Sequence, residues 1–196
     1  VTDPLTEGQD CASTPLEPEE LEQLIPSYIT LRSELNEAEQ AGISDADRWA
    51  FSRRRHVLDE AFLRRLHHRM FRSVWAWAGE LRRTERNIGI DAYRIPQELR
   101  QLVEDARFWV DNVSYEPDEI AVRFHHRLVA IHPFPNGNGR HARLAADLLL
   151  RQLGRSRFSW GRINLVEPHV TRQAYIAALR KADAHDFTDL LRFARS

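Results

Sequence analysis

Apolar residues recur at spacings of three and four along most of this chain. Leu58, Phe62, Leu66, Met70, Val74 and Trp77 share one helical face, which predicts a helix over 58–77 with Gly79 as its stop. A second helix enters through Pro96 and carries Leu99, Leu102, Val103, Ala106 and Val110. A third starts at Pro117, presents Ile120, Phe124, Leu128 and Ile131, and is broken by His132-Pro133. Two further stretches, 138–153 closed by Gly154 and a helix or helix pair over 167–195, complete the C-terminal part. Upstream, Leu21, Leu24 and Ile25 form a short face interrupted by Pro26. Tyr28, Leu31 and Leu35 form another, predicted to end near Gly42, with Ser44 opening a new cap. The only strand-like stretch is Ile88, Ile90, Tyr93 and Ile95 around Gly89 and Asp91, which suits a short hairpin. Residues 1–18, rich in Pro, Thr, Ser and acids, read as a mobile tail. The pattern predicts an all-α domain with one small β-hairpin.

Composition narrows the class. Hydrophobic residues are 42% of 196, enough for a core in one domain of ordinary size. The net charge of -1 lacks the global basic field of a nucleic-acid binder, so no direct nucleic-acid partner is expected. Arg53-Arg54-Arg55 and Arg64-Arg65 are read as solvated helix faces neutralised by neighbouring acids. A single cysteine, Cys11, builds neither a disulfide within the chain nor a zinc cluster. No apolar run reaches the roughly 18 residues of a membrane span. The first residues have no basic patch or apolar core of a leader, so a cytoplasmic setting is expected. The pairs His67-His68 and His125-His126 have no carboxylate spacing that would complete a metal site, and they read as packing or surface residues.

The chemistry concentrates in His132-Pro133-Phe134-Pro135-Asn136-Gly137-Asn138-Gly139-Arg140, followed by Arg143. Gly137 and Gly139 let backbone N–H groups approach an anion closely. The helix starting at Asn138 aims its N-terminal donors at the same place. Arg140 and Arg143, three apart, share a helix face and suit phosphate oxygens. His132 can accept a proton at neutral pH. Phe134 anchors the loop in the core. The segment is not a Walker loop, since Gly-Lys-Ser/Thr is missing.

This string resembles the Fic-domain signature, His-x-Phe-x-Asp/Glu-Gly-Asn-Gly-Arg-x-x-Arg. Trp77-Ala78-Gly79 with Arg82 and Thr84 is similar to the approach to the Fic flap, and residues 86–95 to the flap itself. Arg172, Tyr175, Leu179 and Leu190-Leu191-Arg192-Phe193 are similar to the C-terminal Fic helices. From Ile25 onward the layout also resembles the group called mobile mystery protein B, often encoded beside a helix-turn-helix partner. The resemblance implies a Fic-like helical bundle over 58–196 with a flap, preceded by a helical extension over 19–57.

It also implies a protein adenylyltransferase that moves AMP from ATP to a Ser, Thr or Tyr hydroxyl of a target protein. In that reading His132, Asn138 and Arg140 are catalytic. Phe134, Gly137, Asn138, Gly139, Arg140 and Arg143 form the nucleotide site, joined by Tyr175, Ile176 and Asp183 around adenine; core packing is the alternative for Tyr175. Ile88, Gly89 and Ile90 would hold a target peptide by strand addition. Asn136 stands where the family has Asp or Glu as ligand for Mg²⁺ or Mn²⁺, and a neutral amide is a poorer ligand for a hard cation. The alternatives are therefore a catalytically weak or inactive nucleotide-binding scaffold, or transfer of a different nucleotide or phosphate-containing group. Ser33 and Glu37 match part of the family's inhibitory motif, Ser/Thr-x-x-x-Glu-Gly/Asn, with Ala38 in the last position. The expected contact is Glu37 with Arg143, in a toxin-like, self-inhibited protein.

Overall fold

A computed structural model describes residues 18–161 and 168–196; of the predicted tail over 1–18 all but Pro18, which opens the first helix, and the predicted start of the last helix at 167 lie outside them. The described helices are α1 (Pro18–Leu21), α2 (Arg32–Phe51), α3 (Glu60–Phe71), α4 (Ile95–Asp111), α5 (Pro117–Ile131), α6 (Asn138–Gln152), α7 (Pro168–Asp183) and α8 (Thr188–Arg195), with a 3₁₀ turn at Ala92–Arg94 before α4. Among the described residues no helix is long and apolar enough to cross a membrane.

The α5–α6 hairpin lies at the centre. One side of it buries Phe124, Leu128, Ala142, Leu144 and Leu149 against α2, α3 and α4. The other side buries Ala121, Val122, Ala146 and Leu150 against Phe158, Trp160 and α7–α8. A helix pair buried on both sides cannot tilt without opening one core, so the loop between α5 and α6 is held rigidly. The extension over 19–57 shares the first core through Ile29, Leu35, Ala46 and Ala50.

Three elements differ from the sequence expectation. The helix predicted to end near Gly42 runs on to Phe51. Gly42 is a crossing point instead of a stop: a Cβ there would sit 2.4 Å from the Met70 carbonyl oxygen of α3. Ser44 is no cap, since its hydroxyl donates to the Gln40 carbonyl one turn back.

The helix predicted to reach Trp77 stops at Phe71. Beyond it the chain turns aside to pair with residues 23–25: Ile25 N–H donates to Val74 O at 2.8 Å and Ala76 N–H to Gln23 O at 3.0 Å. That turn keeps Trp75 and Trp77 stacked and buried while satisfying backbone groups outside a helix.

The predicted hairpin over 88–95 has no strands. Its shape comes from a cation. Arg82, 3% exposed, donates to the carbonyls of Thr84 (2.9 Å), Ile90 and His132 (2.7 Å). A planar guanidinium offers five donors in a fixed fork, so one side chain replaces the ladder that would otherwise hold this segment.

Candidate active site

The loop 132–137 begins with strain. His132 caps α5 at φ 54°, ψ 59°, a left-handed conformation that non-glycine residues adopt at a cost of about 1–2 kcal/mol. The following proline disfavours continuation of the helix, and the turn reverses the chain toward α6. Gly137 is also left-handed, at φ 77°, and a Cβ on it would lie 2.5 Å from the Phe71 ring. Only glycine fits there. At Gly139 a Cβ would meet nothing closer than Arg143 Nη2 at 3.9 Å, so this glycine opens toward the arginine.

Side chains lock the loop from below. Asn138, 3% exposed, accepts from Phe134 N–H at 2.9 Å and donates to Phe134 O at 2.8 Å. It is thus a brace across the turn, and its amide does not point outward to phosphate as the resemblance implied. Phe134 is fully buried and stacks on His67 at 3.7 Å between centroids, so it is an anchor and not a nucleotide contact. His67 accepts from Gly79 N–H at 2.9 Å, which leaves its other nitrogen to donate to Asn136 O at 3.0 Å. Burial holds this imidazole well below its ordinary pKa, and nearby His141 adds to the effect. His67 therefore ties the loop to the end of the Trp77-Ala78-Gly79 segment.

His132 is buried, and burial pushes its pKa down to about 4, with the Arg82 and Arg86 charges helping and a bond to Val129 opposing. It is neutral across the physiological range. The flap lies directly against it: a Cβ on Gly89 would come within 2.6 Å of His132 Cβ. Ile90 packs on the main core, whereas Ile88 is 40% exposed.

The two arginines face different neighbours. Arg140 lies over the Phe71 ring at 5.0 Å and its Nη1 donates to Glu39 Oε2 at 2.6 Å. Glu39 is 4% exposed, and its other oxygen accepts from Trp75 Nε1 at 2.7 Å. Arg143 Nε donates to Gly139 O at 3.3 Å, and its guanidinium sits 5.2 Å from the centre of the Tyr175 ring. Tyr175 is buried, bonded through its hydroxyl to His125 Nε2 at 2.9 Å, and burial raises its phenol to about 12. It belongs to the second core and also floors Arg143. Ile176 packs against the same core. Asp183 is bonded to His126 at 2.8 Å on the outer side of α5.

Ser33 and Glu37 lie exposed on α2, with no contact to Arg143. The carboxylate that reaches the motif is Glu39, two residues on, and it engages Arg140. The reason is helical phase. Leu35, Glu39, Ala46 and Ala50 form the buried stripe of α2, whereas Glu37 falls on the opposite face. Glu39 sits within the apolar period, and that interruption is the signal that could have revealed it. Arg82 and His67 had no comparable signal, because their partners are backbone atoms far away in sequence.

Asn136 is the residue that the resemblance places at a divalent cation. Its Oδ1 already accepts from Gly137 N–H at 2.6 Å. No group of three or more His, Cys, Asp or Glu among the described residues could hold a metal. A single neutral oxygen does not make a resident cation site, so a metal fits here only as part of a metal–nucleotide substrate.

These features define an all-helical protein that presents a neutral buried imidazole at the head of a loop and two arginines on the helix whose N-terminus closes it. Residues 57–150 match the model of the Fic/DOC family. It is 30% identical over 119 residues to protein adenylyltransferase fic-1 of Caenorhabditis elegans, a match that spans 59% of this chain and 22% of the relative. To protein adenylyltransferase Fic of Drosophila grimshawi it is 31% identical over 118 residues, again 59% of this chain and 23% of the relative. The chain thus spans about a fifth of the length of these curated relatives. Among solved structures, the BepC protein of Bartonella tribocorum, with bound AMPPNP, superposes with a TM-score of 0.70 at 18% identity, covering 91% of this chain and 97% of that one. The Caenorhabditis elegans Fic-1 structure gives 0.68 at 24% identity, covering 90% and 52%.

Proposed function

We propose that this protein transfers AMP from ATP to a Ser, Thr or Tyr hydroxyl of a target protein. The observation that carries the reading is a buried, uncharged imidazole at the head of a loop whose other end is an arginine-flanked helix N-terminus. In the reaction, the neutral His132 ring takes the proton of the incoming hydroxyl. That oxygen bonds to the α-phosphorus, the bond from α-phosphorus to the bridging oxygen breaks, and pyrophosphate leaves. Backbone N–H groups at the start of α6 hold the phosphates, and Arg140 and Arg143 neutralise the departing charge. Positioning and electrostatic stabilisation are what such a transfer chiefly needs. The reading is supported by the curated relatives, which are named protein adenylyltransferases. The AMPPNP bound to the BepC relative is in keeping with ATP as donor. ATP would enter as a complex with Mg²⁺ or Mn²⁺, the phosphates supplying most ligands and Asn136 Oδ1 the chain's own.

The Glu39–Arg140 ion pair gives the site a brake. Arg140 cannot hold a phosphate oxygen in the same fork that holds Glu39, so the nucleotide and Glu39 compete for it. The inhibitory contact expected from Ser33 and Glu37 is reassigned to this residue. A toxin-like role and a helix-turn-helix partner rest on the subgroup resemblance of residues 25–196.

Incubation with α-³²P-ATP, Mg²⁺ or Mn²⁺ and cell lysate tests the activity. Label should enter protein with wild-type enzyme and fall by at least about a hundredfold with His132→Ala. Equal labelling by both would refute the assignment of the base.

A further inference from the structure

A second cleft, of about 740 Å³, lies at the far end of α3 from the catalytic loop. Phe71, in the last turn of α3, touches Gly137, whereas Asp59, Phe62 and Arg65 at its start line the cleft. Twelve helical residues separate the two ends by roughly 18 Å. Arg53, Arg54, Arg55, His56, Arg65 and Arg107 converge on this cleft from the α2–α3 connector, α3 and α4.

The acids expected to neutralise these arginines are engaged elsewhere. Asp45 pairs with Arg48, and Asp47 with Arg157. Asp59 caps α3 by accepting from Phe62 N–H at 2.6 Å, and Glu60 faces Arg100 at 3.3 Å. None of the five cleft arginines forms an ion pair with a described residue. Arg107 spends two donors on the Leu58 carbonyl, and Arg55 one on the Trp49 carbonyl. Arg55 Nε is buried without a hydrogen-bond partner. Its guanidinium is also held below its usual pKa by burial and by the charges of Arg53, Arg65 and Arg69. Asp111 is the one lining carboxylate that has neither a pair nor a cap to serve. Five cations against so little compensation, in a chain of net charge -1, focus a positive potential into one cavity.

We propose that this cleft binds a phosphate chain, either a single nucleic-acid strand or free polyphosphate, at a site separate from the nucleotide loop. Repeated phosphates provide several charges at short intervals, which matches guanidinium groups spread over three elements. An acidic peptide has lower charge density, and Asp59 and Asp111 on the wall oppose either kind of anion, so the denser phosphate chain is the better match to the five guanidinium groups. The proposal departs from the expectation, drawn from net charge, that no nucleic acid is bound, and it stands independently of the transferase reading.

The test is binding to the purified chain at low salt, with a fluorescein-labelled single-stranded oligonucleotide in one arm and inorganic tripolyphosphate in another. Three proteins are compared: wild type, Arg53→Glu/Arg54→Glu/Arg65→Glu, and Arg140→Ala/Arg143→Ala. The expected result is binding that survives in the loop variant and falls at least about thirtyfold in the cleft variant. If a strand is the ligand, log affinity should fall against log salt with a slope of about -3.5 for five phosphate contacts. Competition of the oligonucleotide by tripolyphosphate at matched phosphate concentration identifies free polyphosphate as sufficient; failure to compete identifies the strand. Loss of binding in the loop variant alone, equal binding by all three proteins, no binding of either ligand, or tighter binding of a polyglutamate peptide would each overturn the proposal. A thermal melt of the cleft variant confirms that it is folded, and a single Arg54→Glu variant replaces it if it is not.

Discussion

At the scale of single residues, the two loop glycines have separate duties. Gly137 combines φ 77° with a Cβ position 2.5 Å from Phe71 Cζ, so alanine there brings both backbone strain and overpacking against the end of α3. Gly139 has open space around its Cβ direction. Gly137→Ala is expected to lower stability by about 2–4 kcal/mol and to abolish labelling. Gly139→Ala should leave the melting temperature within a degree or two while reducing the affinity for ATP. Paired thermal melts and nucleotide titrations of the two variants check this; the same melting loss in both would contradict the packing argument. His67, Asn138 and Arg82 act through backbone atoms of the loop and flap, so their influence on chemistry is one of position.

At the scale of elements, α2 is both a wall of the core and the carrier of Glu39. Its packing brings Gly42 against α3 and Glu39 against α6, so Glu39 cannot leave Arg140 unless the helix shifts or the side chain rotates. Glu39→Gln keeps the shape and the Trp75 bond while removing the charge. We expect it to raise the labelling rate by about five- to fiftyfold at subsaturating ATP, through tighter nucleotide binding. Glu37→Gln, on the exposed face, should change nothing measurable. A rise with Glu37→Gln and none with Glu39→Gln would restore the original motif assignment. Glu20 of α1 likewise pairs with Arg86 near the flap, so the short N-terminal helix supports the same region.

At the scale of the whole molecule, pH response follows from buried imidazoles. His67, His125, His132 and His141 are all depressed by burial, with His125 at about 3 and His132 and His141 at about 4. In the unfolded chain each would titrate near 6.5. Above that value neither state binds these protons and their contribution is constant. As pH falls below 6.5 the unfolded chain takes them up and the native state does not, so stability declines by about 1.4 kcal/mol per pH unit for each histidine. Four together should bring acid unfolding between roughly pH 5.5 and 4. Melting curves from pH 8 to 4 are the check, and the labelling rate should stay flat from pH 8 to 6.5. A melting temperature unchanged down to pH 4.5 would contradict the burial of these rings.

The sequence alone determined α4, α5 and α6, the end of α5 at His132-Pro133 and the loop between α5 and α6, because these depend on local period and on glycine and proline chemistry. Glu39, Arg82 and His67, and the arginine cleft with its acids drawn off to other partners, were decided only by the tertiary structure. Each depends on which distant backbone or carboxylate a side chain meets. Formal charge along a chain does not reveal which charges are already spent, and helical phase decides whether Glu37 or Glu39 faces the site only when α6 is there to be faced.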